Sequence, residues 1–235
     1  MQRRSLAARI LRTAAVAILA SAAASIVAVA ALRFLPVPLT AFMVGERLAA
    51  RADGKPLDQQ QDWVPWKRIA PYAAVAVIAA EDQKFPAHDG FDFEAIEQAM
   101  EEAGRGERLR GASTISQQVA KNLFLWSGQN WFRKGLEAWF TVWIELLWPK
   151  QRILEVYLNV AQFGRGTWGV EAASRRYFGK AAENLTRHEA ALLAAVLPSP
   201  TRYRVVNPGP YVRQRQQWIL GQMQRLGGTG LLEGL

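Results

Sequence analysis

The chain contains 235 residues, no cysteine and two histidines, and it carries a formal net charge of +9. The lack of cysteine excludes disulfide bonds, and two histidines without an HExxH motif argue against a tightly held structural zinc. A length of about 200 residues beyond the N-terminal apolar segment is enough to bury one hydrophobic core without such cross-links.

The N-terminal segment has the composition of a membrane-spanning helix. Residues 13–32 carry no charge and are rich in alanine, valine, isoleucine and leucine, and about 20 such residues cross the hydrocarbon core of a bilayer. We therefore predict a basic cytoplasmic N-terminus at 1–12 and an uncleaved signal-anchor helix at 13–35. The arginines precede the apolar run and the first acid, Glu46, follows it, which keeps the N-terminus inside. A cleaved signal peptide is the alternative, because the small residues at 22–24 fit a cleavage site.

The charge balance also bears on binding partners. Four arginines of the leading segment supply part of the positive charge, and the remaining excess suits a domain that lies near anionic lipid headgroups. The same excess would suit a nucleic-acid binder. The predicted anchor, however, places everything after Pro36 outside the cytoplasm, where no nucleic acid is expected.

Beyond the anchor, the sequence predicts a mainly α fold. Residues 36–65, with a polar, loop-like stretch at 45–62, are predicted to form a linker and membrane-proximal segment, followed by one domain at 66–235. No convincing run of alternating strand residues is present. Periodicity, capping residues, prolines and glycines predict helices at 71–83, 93–103, 115–126, 131–148, 150–159, 170–178, 187–197 and 211–226.

Two adjacent acids, Glu81 and Asp82, lie at the predicted C-terminal end of the 71–83 helix. The helix macrodipole disfavours negative charge at that end, so the pair requires an explanation. A desolvated carboxylate has a raised pKa, which suits a general base or acid. The alternative is that Asp82 caps the following turn and Glu81 forms a salt bridge.

The segment GASTISQQVAKN, residues 111–122, predicts a helix with an unusual polar face. Thr114 and Gln117 have the spacing of a capping box, which places the helix start near Ile115. The face carries amides and an ammonium group but no acid, and it suits an anionic ligand rich in hydroxyl groups; an ordinary solvent-exposed face is the alternative. Its residues are Gln117, Gln118, Lys121 and Asn122.

Four sequence blocks stand in order along the chain. EDxxFxxHxG begins at Glu81 and GxSTIxQQxxKN at Gly111, while RKxxE spans 133–137 and KxxILExYLN spans 150–159. Together they resemble the glycosyltransferase family that polymerises peptidoglycan from lipid II, and the resemblance runs from about residue 66 to residue 226. The chain looks most like the monofunctional members, because the SxxK and KTG elements of a penicillin-binding transpeptidase do not occur in it.

The resemblance implies a lysozyme-like helical domain with two lobes around a cleft, and an inverting enzyme. The 4-hydroxyl of one sugar would attack the anomeric carbon of a lipid-linked chain and expel a polyprenyl diphosphate, which produces β-1,4-linked glycan. The implied partners are lipid II, the lipid-linked nascent glycan, membrane lipids and cell-wall synthesis proteins. The implied location is the bacterial inner membrane, single-pass, with a periplasmic catalytic domain. No cofactor is required, and stimulation by Mg²⁺ or Mn²⁺ stays open.

The resemblance also implies roles for individual residues. It assigns the general base to Glu81, and it gives the second motif acid, Glu137, a part in diphosphate departure, directly or through a bound cation. We expect Lys121 and Arg133 to compensate the diphosphate charge. Substrate oxygens would be positioned by Ser113, Thr114, Gln117, Gln118, Asp82 and Asn122. Structural roles are expected for Phe85, His88, Gly90, Gly111, Glu155 and Asn159.

Several alternatives remain open at this stage. Glu137 is spaced to pair with Arg133 on one helix, and a loosely bound divalent ion at Glu137 is another interpretation. Many family members carry an arginine eight residues beyond the lysine of the second block, where this chain has Gln129, which puts efficiency in doubt. The alternative functions are a lysozyme-like peptidoglycan hydrolase, against which the RKxxE block argues, and a non-enzymatic membrane-tethered module that binds wall polymers. Only an enzyme would need Glu81.

Overall fold

The structure, a computed structural model, describes residues 2–55, 57–105, 113–128 and 130–235. This described part contains ten α-helices and one small sheet. The helices are α1 (Gln2–Leu32), α2 (Ala41–Ala52), α3 (Pro71–Glu81), α4 (Phe93–Gly104), α5 (Ile115–Phe124), α6 (Trp131–Leu147), α7 (Lys150–Val160), α8 (Val170–Phe178), α9 (Arg187–Val196) and α10 (Pro210–Arg225). The strands are β1 (Gln60–Gln61), β2 (Gln162–Gly164) and β3 (Thr167–Trp168).

Helix α3 forms the centre of the core. Its residues 73–79 are all buried, and a helix that is apolar all round is stable only when other elements surround it. Helices α9 and α10 pack against α3, and α5 packs against both α6 and α7. Pro71 starts α3 at a position where its missing N–H costs nothing. The carboxyl end of α3, with Glu81 and Asp82, is therefore held inside the domain.

Helix α1 has the properties of a membrane anchor. Its segment Leu6–Leu32 is long and apolar enough, by length and composition, to cross a membrane. The helix itself is longer than the apolar run, because it starts within the basic N-terminus and ends at Leu32, while the predicted membrane-spanning bounds of 13–35 stay a prediction. Arginine and alanine are good helix formers, so hydropathy alone underestimates where the helix begins.

The carboxyl end of α1 is attached to the domain by hydrogen bonds. Trp148 Nε1 donates to the Val29 carbonyl oxygen (2.8 Å), and Arg152 Nη2 donates to the Leu32 carbonyl oxygen (2.8 Å). Helix α1 also packs against α6. The anchor therefore joins the domain at a defined place beside α6 and α7.

The prediction of a polar loop at 45–62 is wrong in its first part, because α2 begins at Ala41 and extends into it. Only Met43 and Ala50 of α2 are buried, and a carboxylate also holds the helix in place. Glu46 accepts hydrogen bonds from Trp168 Nε1 (2.8 Å) and Gln162 Nε2 (2.8 Å). Since the periodicity of apolar residues is the main helix signal in a sequence, a helix held in this way is easily missed.

A three-stranded sheet in the order β1-β3-β2 is a second feature that the sequence did not predict. Strand β3 pairs with β1 in parallel and with β2 antiparallel. Strands of two or three residues are too short to show alternation. The sheet joins the membrane-proximal segment to the chain that follows α7.

The eight other predicted helices are present, close to their predicted bounds. The predicted capping box of Thr114 and Gln117 forms, and Thr186 forms a second one with Glu189 at the start of α9. Gly179 ends α8 in the left-handed conformation, with φ of 69°. The mainly α fold class is confirmed.

Candidate active site

Asp82 joins the carboxyl end of α3 to the amino end of α5. Its carboxylate accepts hydrogen bonds from the Ile115 backbone N–H (2.9 Å) and from His88 Nε2 (2.9 Å). A negative charge is stabilised at a helix N-terminus, which offsets its unfavourable position at the end of α3. The sequence predicts substrate binding or turn capping for Asp82; in the structure its oxygens are engaged in joining these two helices.

The loop that follows α3 is fixed by the remaining residues of the first block. Gly90 has φ of +90°, and a Cβ there would lie 2.8 Å from Glu145 Cγ, so only glycine fits. The Gly90 N–H donates to His88 Nδ1 (3.1 Å), and its carbonyl oxygen accepts from Thr114 Oγ1 (2.7 Å). Phe85 is fully buried beneath this loop. These contacts are structural, and His88 makes them in its neutral form, as an Nε2 donor and an Nδ1 acceptor.

The predicted polar face of α5 separates into two groups. Gln117 is 4% exposed, and its Oε1 accepts from the Thr114 backbone N–H (3.0 Å), so its amide is used in the capping box. The side chains of Gln118, Lys121 and Asn122 instead line a cavity. Gly111 and Gln129 lie outside the described residues.

Glu81 is held from two sides. Gln118 Nε2 donates to its Oε2 (3.1 Å), and Arg215 Nη2 of α10 donates to its Oε1 (3.3 Å). Burial raises the pKa of Glu81, while the Gln118 hydrogen bond and the Arg215 charge act in the opposite direction. The result is a desolvated carboxylate that two donors still favour in its ionised form, which is suited to a general base.

Glu81 lines one cavity, and its partner Gln118 lines another. One, of about 170 Å³, is lined by Glu81 together with Ser113 and Thr114. The other, of about 230 Å³, is lined by Gln118, Lys121, Asn122, Tyr157 and Phe42. A larger cavity of about 550 Å³ lies elsewhere, beside the end of α2, and no acid lines it. Chemistry rather than size therefore locates the site.

A second carboxylate, Glu137 on α6, is surrounded by cations. It is 2% exposed, accepts a hydrogen bond from Arg133 Nη1 (2.9 Å) and pairs with Lys134 Nζ. The pairing with Arg133, which the sequence left open, is present. Arg133 Nε is buried without a hydrogen-bond partner in the described part of the chain. Since buried polar groups normally find a partner, this donor is available for an anionic ligand.

The charge of Lys121 interacts with both carboxylates. Burial lowers its pKa; Glu137 and Glu81 raise it, and Arg133 and Lys134 lower it further. Three cations near a single buried acid leave a positive excess, which can stabilise a multiply charged anion such as a diphosphate.

The site does not fit a divalent ion held by Glu137 alone. Both oxygens of Glu137 already accept from cationic side chains, and these positive charges would repel a metal ion. Within the described ranges, no three His, Asp or Glu side chains come together as a metal site.

Glu155 and Asn159 attach α7 to the segment that precedes α3. Asn159 Oδ1 accepts from the Val64 N–H (2.9 Å), its Nδ2 donates to the Val64 carbonyl oxygen (2.9 Å), and Glu155 Oε1 accepts from the Trp66 N–H (3.1 Å). These contacts hold α7, which carries Tyr157, against the segment before α3, and the structural role expected for Glu155 and Asn159 stays a prediction.

Sequence reasoning missed two residues beside Glu81. Arg215 lies on the polar helix α10, where no local pattern separates it from exposed neighbours such as Arg213. Tyr157 belongs to the KxxILExYLN block but was given no role. The feature that could have identified Tyr157 is its hydroxyl group, which lies among the buried apolar side chains of α7.

Comparison with known proteins gives a consistent picture. A family model described as Transglycosylase matches residues 47–224. The chain is 56% identical over 200 residues to the biosynthetic peptidoglycan transglycosylase of Pseudomonas aeruginosa, which covers 85% of this chain and 86% of that protein. It is 54% identical over 202 residues to the protein of that name from Xylella fastidiosa (86% and 83% covered), and 55% identical over 200 residues to that of Pseudomonas putida (85% and 85%).

Replacing Arg215 with glutamine is expected to raise the pKa of Glu81 further, because the guanidinium charge that favours the carboxylate is removed. A ¹³C NMR titration of the side-chain carboxyl signals, with Glu81→Gln used for assignment, measures this. Arg213→Gln, at an exposed position of the same helix, is the control and should leave the titration unchanged. An Arg215→Gln titration that coincides with the wild type would show that Arg215 does not act on Glu81.

Proposed function

The chain belongs to the transglycosylase family, and we propose that Glu81 is the general base with which it polymerises lipid II into β-1,4-linked glycan strands. The enzyme is an inverting peptidoglycan glycosyltransferase. The observation that carries the assignment of the base is the desolvated Glu81 carboxylate, which lines one cavity and is held by Arg215 and by Gln118, a residue of the second cavity.

On the acceptor side, Glu81 takes the proton from the sugar 4-hydroxyl as the hydroxyl oxygen bonds to the anomeric carbon of the lipid-linked chain. The bond from that carbon to the phosphate oxygen breaks, and the electron pair leaves with the diphosphate. Burial makes the carboxylate a stronger base than an exposed glutamate, and the Arg215 charge helps to keep it ionised before the reaction.

On the leaving-group side, Lys121 and Arg133 stabilise the negative charge of the departing diphosphate. The unpartnered Arg133 Nε supports this role, since fixed cationic donors stabilise developing charge at no cost of reorganisation. We assign Glu137 an indirect part: it holds Arg133 and Lys134 in place. No step needs a metal ion at Glu137, and stimulation by Mg²⁺ or Mn²⁺ through the substrate diphosphate stays a prediction.

The length and apolar composition of helix α1 support a location of this chemistry at a membrane. We assign the enzyme to the bacterial inner membrane, with a cytoplasmic N-terminus and a periplasmic domain, on the basis of the arginines that precede the apolar segment. A tether raises the effective concentration of the domain at the surface that carries its lipid-linked substrate. Partners among the cell-wall synthesis proteins stay a prediction.

The Glu81→Gln variant is expected to keep the fold and to lose polymerisation by about 10²–10⁴-fold, the usual contribution of a general base. Incubation of the purified protein with labelled lipid II, followed by gel separation of the glycan products, measures this. Glu183→Gln, which affects only a surface ion pair with Arg68 (3.7 Å), is the matched control and should polymerise normally. Near-normal strand synthesis by a folded Glu81→Gln protein would refute the assignment, and degradation of purified glycan by the wild type would favour the hydrolase.

The Lys121→Ala variant is expected to lose about 10²–10³-fold in turnover, as is typical when one preorganised stabiliser is removed. Lys121→Arg should recover part of this, because the guanidinium group keeps the charge but differs in shape. Binding of a diphosphate substrate analogue should weaken more than binding of a monophosphate analogue.

Lys67→Ala, at an exposed position, is the control for Lys121 and should change none of these quantities. If Lys121→Ala also leaves turnover and both binding constants unchanged, this face of α5 is only a solvated surface.

The orientation of the anchor can be tested with reporters fused after Leu235. An alkaline phosphatase fusion, which is active only outside the cytoplasm, should be active, and a fluorescent protein that folds only in the cytoplasm should stay dark. The two reporters control for each other's expression. The opposite pattern would overturn the proposed topology.

A further inference from the structure

A third side chain is hydrogen-bonded to the pair formed by Glu81 and Gln118. Tyr157 of α7 is 1% exposed, and its Oη donates to Gln118 Oε1 (3.3 Å). The Gln118 Nε2 in turn donates to Glu81 Oε2 (3.1 Å). A chain of hydrogen bonds therefore runs from α7 through α5 to the carboxylate at the end of α3.

The two ends of the Gln118 amide are chemically different, and both neighbours favour the same orientation. A flipped amide would direct its oxygen at the Glu81 carboxylate, so that two acceptors would face each other. In the observed orientation the half-buried amide oxygen accepts its hydrogen bond from the Tyr157 hydroxyl. Burial raises the pKa of Tyr157 well above its usual range, so this hydroxyl keeps its proton and remains a donor.

We propose that Tyr157 is a positioning residue for glycosyl transfer, which fixes the Gln118 amide so that its N–H group holds the Glu81 carboxylate ionised and in one orientation. The inference rests on the proposed role of Glu81 as the base. Hydrogen bonds in a buried chain polarise one another, so a donor on the amide oxygen strengthens the amide N–H as a donor to the carboxylate.

The other groups around Glu81 show why this chain of hydrogen bonds affects Oε2 in particular. Arg215 contacts Oε1, whereas Oε2 is held by Gln118. Lys121 acts at longer range, through its charge. The charged or titratable groups that act on Glu81 are, by element, Lys121 on α5, Tyr157 on α7 and Arg215 on α10, while Asp82 follows it directly in the chain.

The Tyr157→Phe variant tests the proposal, because it removes the hydroxyl and keeps the ring that packs in the core. We expect kcat for lipid II polymerisation to fall by about 3–10-fold, the effect of one buried hydrogen bond, with KM unchanged. The Gln118 hydrogen bond lowers the pKa of Glu81, so weakening it should raise that pKa. The base must be ionised, and the acid limb of the kcat/KM profile should therefore move to higher pH.

The matched control is Tyr177→Phe, which loses a hydroxyl that donates to the Phe163 carbonyl oxygen over the same distance (3.3 Å), away from Glu81. It should leave kcat and the acid limb unchanged. In a Gln118→Ala background, Tyr157→Phe should have no further effect on either quantity, since Tyr157 acts through the amide. An equal fall in both backgrounds would mean a merely structural role and would overturn the inference.

The experiment separates this inference from the assignment on which it rests. If Glu81→Gln remains active, the proposed base is wrong, whatever Tyr157→Phe does. If Glu81→Gln is inactive while Tyr157→Phe keeps the wild-type kcat and pH profile, the base stands and only the role of Tyr157 is refuted.

Discussion

The site depends on the Asp82 carboxylate, which lies between the end of one helix and the start of another. It accepts from the first backbone N–H of α5 and from His88, and so it fixes α5 against α3. A negative charge is unfavourable at the C-terminal end of α3 and favourable at the N-terminal end of α5. The favourable interaction with α5 stabilises the junction. Because Glu81 precedes Asp82 and Gln118 lies one turn into α5, this junction brings the Glu81 carboxylate to its amide partner, Gln118.

Two opposite electrostatic arrangements follow along α5. Near Glu81, burial raises the pKa of the carboxylate, while a neutral amide and one arginine donate to it and favour the ionised form. Near Glu137, several cations surround one acid, which leaves a positive excess. An inverting transfer needs proton removal on one face of the anomeric carbon and charge stabilisation on the other. The charge of Lys121 interacts with both carboxylates, so this residue belongs to both arrangements.

Much of the helical framework could be predicted because it depends on local chemistry. Capping boxes and a proline at the first helical position act over a single turn, and these predictions are confirmed. Helix α2 and the small sheet were missed, because long-range contacts hold them. Glu46 on α2 accepts from Trp168, 122 positions away, and local periodicity carries no trace of such a bond.

The sequence by itself determined the family of the chain, its mainly α fold, the membrane anchor and the candidate acids, since these follow from ordered motifs, short-range capping and a run of apolar residues. Only the tertiary structure decided which groups act on those acids. Gln118 lies 37 positions from Glu81, and Arg215 lies 134 positions from it. Whether a carboxylate is basic, paired or free depends on what packs around it, and that is fixed only when the helices come together around α3.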